Sequence, residues 1–96
     1  MKKEYINVIG KTKNNQLVVN GLFKMFDTMG TPLYVIFELC NKQNWIPSWI
    51  HFYDEAYKHG WKHKTIINRL KEGMEDIYEP NFIDVIIKRL NEKNKQ

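Results

Sequence analysis

The chain is poor in the features that announce chemistry. It has a single cysteine, Cys40, among 96 residues, so no internal disulfide and no thiolate metal cluster can be built, and a reducing, cytoplasmic setting is expected. No run of residues approaches the roughly 20 apolar positions needed to span a bilayer. The start, MKKEYINVIGKTK, is basic but lacks a continuous apolar segment of signal-peptide length. There is no Gly-rich phosphate loop and no Ser-His-Asp set. The acidic pairs Asp54/Glu55 and Glu75/Asp76 are adjacent in sequence and diverge on a helix, so neither makes a convincing catalytic couple. These absences predict a non-enzymatic binding protein without a cofactor.

What is present is an ordinary globular balance: 43% hydrophobic, 14% aromatic and 27% charged residues. That composition and length suit one small domain with one core and exclude wholesale disorder. The formal charge of +4 and pI near 9.2 are compatible with acidic partners without requiring them.

The segments YINVI (5–9) and LVV (17–19) are short and β-branched, and the polar GKTKNNQ between them predicts a hairpin, or else a mobile arm. After Asn20-Gly21, Leu22, Met25, Phe26 and Met29 stand at the spacing of a short helix whose apolar face belongs to the core. Thr31-Pro32 reads as N-cap and first helical residue of a central helix carrying Leu33, Ile36, Phe37, Leu39 and Cys40 inward. Pro47 reads as the start of the next helix, with Trp49, Ile50, Phe52, Tyr53, Ala56 and Tyr57 on one face and Gly60 as its left-handed stop. A helix from about residue 62 turns Ile66, Ile67, Leu70, Met74 and Ile77 inward, and Gly73 within it weakens it by about 1 kcal/mol relative to Ala. A last helix begins at Pro80, with Phe82, Ile83, Ile86 and Leu90 facing inward. The expected fold is mostly α: a small bundle of about four to five helices with a short N-terminal β-hairpin. The expected domain is 1–92, with 1–20 a hairpin or arm, 21–92 helices, and the Lys/Asn-rich 93–96 a frayed tail.

The stretch YDEAYKHGWKHKTIINRL (53–70) has the outline of two helices joined by a glycine turn. It resembles the DNA-binding helix-turn-helix family, with Ala56 as the small crossing residue, Gly60 in the turn, Trp61 as the apolar residue after it and Ile66 as the buried anchor of the second helix. Glu55, His59 and Arg69 depart from that pattern, standing where the family is usually apolar. The second helix of such a motif enters the major groove. An ordinary antiparallel helix pair joined by glycine gives the same outline for structural reasons alone.

Charge supplies an independent pointer. Lys62, Lys64, Arg69 and Lys71 crowd the first part of this helix and Glu72, Glu75, Asp76 and Glu79 the region after it, the reverse of what the helix dipole favours. Lysines beside free backbone N–H groups suit phosphate. The outward set is Lys62, Thr65, Asn68, Arg69 and Glu72, joined by Lys64 for phosphate, with Lys11 and Lys13 of the hairpin turn as a second contact in the manner of a wing. Pairing of each lysine with an acid on a neighbouring helix is the structural alternative. His51, Glu55, His59 and His63 recur every four residues, but Gly60 interrupts the row and its face is polar, so a solvated stripe is expected and no metal.

The block from Met29 to Leu70, with Pro-Leu opening a helix, Pro-Ser-Trp-Ile, and Gly-Trp-Lys before Thr-Ile, resembles small proteins encoded by phages and mobile elements of AT-rich Gram-positive bacteria. That resemblance implies regulators, or inhibitors of host machinery, as often as DNA binders. Two readings therefore stand: a nucleic-acid-binding regulatory module, which a homodimer would suit, and a phage-encoded inhibitor of a host defence nuclease or other host complex. The second would use aromatic anchors such as Trp45, Trp61, Tyr34 and Trp49. Trp45 discriminates: buried if it staples the bundle, exposed if it anchors a partner. Burial of at least two of the three tryptophans is expected.

Overall fold

The β-branched N-terminal segments pair with each other, and the amphipathic segments that follow pack as helices over the face they offer. In the computed structural model, which describes residues 5–95, the order is β1 (Asn7–Lys11), β2 (Leu17–Asn20), α1 (Leu22–Met29), α2 (Leu33–Lys42), β3 (Trp45–Pro47), α3 (Trp49–Lys58), α4 (His63–Met74) and α5 (Pro80–Asn94). The fold is thus mostly α with a small sheet, as the periodicity predicts.

β1 and β2 form the expected hairpin, antiparallel, with an irregularity between Val8 and Gly10. Its turn closes by Thr12 N–H to Gln16 O at 2.9 Å and Asn15 N–H to Thr12 O at 3.0 Å, and Asn15 takes φ 64°, which asparagine tolerates better than most residues. β3 is not anticipated by the sequence. It lies parallel to β2, with Leu17 opposite Trp45 and Val19 opposite Pro47, and parallel neighbours need a crossover, which α1 and α2 supply. Pro47 therefore ends a strand and does not open α3. Proline has no N–H for the ladder, and the Ser48 N–H continues it to Val19 O at 2.7 Å.

The central helix also starts one residue later than expected. Pro32 has ψ 145°, so it is the N-cap and its carbonyl accepts from Val35 and Ile36; the proline ring fixes φ but leaves ψ extended. Thr31 makes no capping bond. α2 stops at Asn44, whose φ of 60° lets asparagine act where glycine usually does.

One core joins all five helices of the described chain, centred on Phe23, Met25, Ile36, Phe37, Ile66 and Leu70, each almost fully buried. Gly73 does more than weaken α4. A Cβ there would stand 2.9 Å from Phe37 Cε2 and 3.0 Å from Leu33 Cβ, so the missing side chain is what lets α2 and α4 approach. Four residues expected inside are exposed: Met29, Ile50, Tyr57 and Phe82. In α1 the buried residues are Leu22, Phe23 and Met25, so Phe23, which the spacing leaves out, belongs to the core and Met29 in the last turn does not. Trp49 is buried at 7% exposure, whereas Trp45 and Trp61 are half-buried against the core; one tryptophan is enclosed, not two. The tail is not frayed through 94, because Lys93 pairs with Asp54 at 3.3 Å and Tyr53 donates to Asn94 Oδ1 at 3.2 Å. Among the described residues no helix is long and apolar enough to cross a membrane.

Candidate nucleic-acid interface

The site begins at the end of α3. Gly60 adopts φ 93° and donates to Tyr57 O at 3.0 Å, while Trp61 N–H reaches back to Ala56 O at 3.1 Å. This pair of bonds is the Schellman stop, and it turns the chain so that Trp61 falls onto α1. The indole meets Phe23 edge-on at 5.4 Å and Phe26 at 5.7 Å. Arg69 reaches back over the same ring, its guanidinium 6.0 Å from the centroid, within cation–π range. The four residues that carry the helix-turn-helix resemblance are accordingly placed as follows: Ala56 and Ile66 fully buried, Gly60 left-handed, and Trp61 wedged between the helices and α1.

Because Ile66, Ile67, Leu70, Gly73 and Met74 are spent on packing, the opposite side of α4 is left to solvent. Lys62, Lys64, Thr65, Asn68, Arg69, Lys71 and Glu72 are all exposed. They form two rows at helical spacing, Lys64–Asn68–Lys71 and Thr65–Arg69–Glu72. The first carbonyl bond of α4 runs from Ile66 N–H to Lys62 O, so the amides of His63, Lys64 and Thr65 have no partner within the helix, and no side chain caps them. Among the described residues the ion pairs are Lys42 with Glu38 and Lys93 with Asp54; neither involves a cation of α4. The structural alternative, acids on neighbouring helices neutralising these lysines, is not what the chain adopts.

Lys11 and Lys13 belong to another part of the molecule, the outer strand and its turn. That turn is tied to the α2–β3 connection by Gln16 Nε2 donating to Asn44 Oδ1 at 2.8 Å. Trp45 lies in β3, beside β2, where it helps cover the core and has partners of its own. Tyr34 is 57% exposed and shares a cleft with Arg69, Glu72, Phe26 and Pro32, so of the α4 cations it stands beside Arg69. Tyr57, assigned by spacing to the apolar face, is 58% exposed and lines a cleft with Gly60, Trp61, Lys62 and His63. No pattern in the sequence identifies it, because its exposure depends on how far neighbouring helices extend past the last turn of α3.

The histidines are occupied locally. His51 Nδ1 meets the Ser48 hydroxyl, His59 Nδ1 meets Glu55 O at 2.9 Å, and His63 lies between the Tyr53 hydroxyl, 2.8 Å from Nδ1, and Asn91 Oδ1, which accepts from Nε2 at 2.8 Å. His63 thereby fixes the start of α4 against α3 and α5. Among the described residues no group of three or more His, Cys, Asp or Glu is placed to hold a metal ion. Burial pushes the Cys40 thiol up to about 11, against a backbone hydrogen bond that lowers it; a thiol so protonated is a core residue rather than a nucleophile. Comparison with models of protein families, with curated proteins and with solved structures finds no match to this chain.

Proposed function

We propose that the chain is a small non-enzymatic regulatory module, of the type phages and mobile elements encode, that binds nucleic acid through the N-terminal half of α4. The observation that carries this reading is the exposed, unneutralised pair Lys62 and Lys64 beside the uncapped amides of α4, with the exposed Arg69 one turn further along the helix. Cations at the positive end of a helix oppose its dipole and find compensation in a phosphate. Thr65 and Asn68 supply hydroxyl and amide groups for base or sugar edges.

The test is binding of a labelled random duplex and its separated strands at two salt concentrations. The native protein is compared with a Lys62→Ala, Lys64→Ala, Arg69→Ala variant. Affinity that falls with salt and is lost in the variant supports the reading; a log–log slope of about −2 to −3 follows if three phosphates are neutralised. Absence of binding to either form at low salt contradicts it.

A second reading, a protein-binding inhibitor of a host complex, is favoured by a different face. Ile50, Phe82 and Val85 are exposed, and Phe82 adjoins Trp49 with ring centroids 6.2 Å apart. Apolar surface of this kind suits a protein partner. Under that reading Ile50→Asp abolishes capture of a host protein while leaving nucleic-acid binding untouched.

A further inference from the structure

We infer that the ligand of this interface is single-stranded nucleic acid, with unpaired bases stacking in two aromatic clefts along α4, one at its start and one beside Arg69 and Glu72 in its second half. The inference rests on the nucleic-acid reading above and narrows it. Tyr34 and Tyr57 are the two most exposed large apolar side chains of the described chain, at 57% and 58%. Neither is isolated. Tyr34 rims a cleft of about 170 Å³ that includes Phe26, Arg69 and Glu72; Tyr57 rims one of about 390 Å³ that includes Trp61, Lys62 and His63.

The two clefts share no lining residue, but their walls abut. Phe26 of the first packs edge-on against Trp61 of the second at 5.7 Å, and Arg69 of the first lies over the same indole. From one cleft to the other, aromatic and cationic groups therefore follow in the order Tyr34, Arg69, Trp61, Lys62, Tyr57. Tyr57 is held in place by stacking on the buried Tyr53, with centroids 6.1 Å apart and planes 19° apart, so its ring is available without further ordering.

A duplex does not use such a series, because its bases are stacked on each other and offer only their edges in the grooves. An unpaired strand offers ring faces, and aromatic side chains along a basic groove are how strands are bound with little sequence preference. Arg69 adds a planar guanidinium on which a base also stacks. Glu72 repels phosphate but accepts hydrogen bonds from exocyclic amines of bases. It therefore favours a base in the Tyr34 cleft and leaves the backbone to Lys62 and Lys64.

The deciding experiment measures fluorescence anisotropy of a labelled twelve-nucleotide mixed-sequence DNA strand, the same sequence as RNA, and the DNA annealed to its complement. The native chain is compared with Tyr34→Ala, Tyr57→Ala and the corresponding Phe variants. Either strand is expected to bind at least about tenfold more tightly than the duplex, and each Ala variant to lose about five- to a hundredfold in strand affinity. The Phe variants retain the ring and are expected to bind as the native chain does; the tighter of the two strands identifies the sugar. Duplex binding as tight as strand binding overturns the inference while leaving the nucleic-acid reading intact. Strand preference that survives both Ala substitutions overturns the assignment to these clefts. Binding of neither form overturns the underlying reading itself.

Discussion

Two single residues show how much of the fold turns on one atom. Gly73 is a weak helix former, so on propensity alone Gly73→Ala gains about 1 kcal/mol. Its Cβ, however, would press on the buried ring of Phe37 and the Cβ of Leu33 at 3.0 Å or less, and overpacking costs about 1–3 kcal/mol. A net destabilisation of about 1 kcal/mol is expected, seen as a lower urea midpoint; a raised midpoint would mean α2 and α4 are not in contact as described. Cys40 makes the second case. Its thiol titrates near 9.0 in an ordinary setting and at about 11 when folded, chiefly because burial disfavours the thiolate. Between those values the folded chain holds a proton that the unfolded chain has lost, so stability is intact below pH 9 and declines as pH rises toward 11, by at most about 2–3 kcal/mol from this group. Tyr53 and Tyr78 are raised as well, both mainly by burial, and deepen the loss at the alkaline end. Urea unfolding at a series of pH values should show this decline, shallower in Cys40→Ala. An equal slope in the variant would place the titration elsewhere.

At the scale of elements, the hairpin and helices were legible because each carries its own period: β-branched pairs before residue 20, and inward Ile, Leu and Phe every three to four residues after it. β3 was not legible, since three residues ending in proline have no period and exist as a strand only through Val19 and its neighbours. Helical projection named the right face of α3 and α5 but not how far other elements reach over it, which is why Ile50, Tyr57 and Phe82 emerged exposed. The candidate site divides the same way. Its cations are visible as a charge order along one helix, whereas the flanking tyrosines come from α2 and α3 and are neighbours only after packing. α4 also yields a test of its charge order. Lys64→Glu puts an acid in the first turn, where the dipole favours it, and should stabilise the fold by about 1 kcal/mol while sharply weakening nucleic-acid binding. A variant that is less stable, or that binds as before, would contradict the view that stability is forgone there for a ligand.

On the scale of the whole molecule, two sets of exposed groups compete for the role of interface: the basic and aromatic groups along α4, and the apolar side chains Ile50 of α3 and Phe82 and Val85 of α5. They are built from different residues, so a ligand that occupies one need not disturb the other. A net charge of +4 gives a modest attraction for polyanions that salt screens, but only the α4 surface adds groups with directional chemistry. The most direct measurement is backbone amide chemical-shift mapping of the native chain titrated with a short mixed-sequence DNA strand. The account predicts saturable shifts concentrated at residues 60–72 and at Tyr34 and Tyr57, diminishing with added salt. Shifts confined to Ile50, Phe82 and Val85, or none at a strand concentration well above that of the protein, would contradict it.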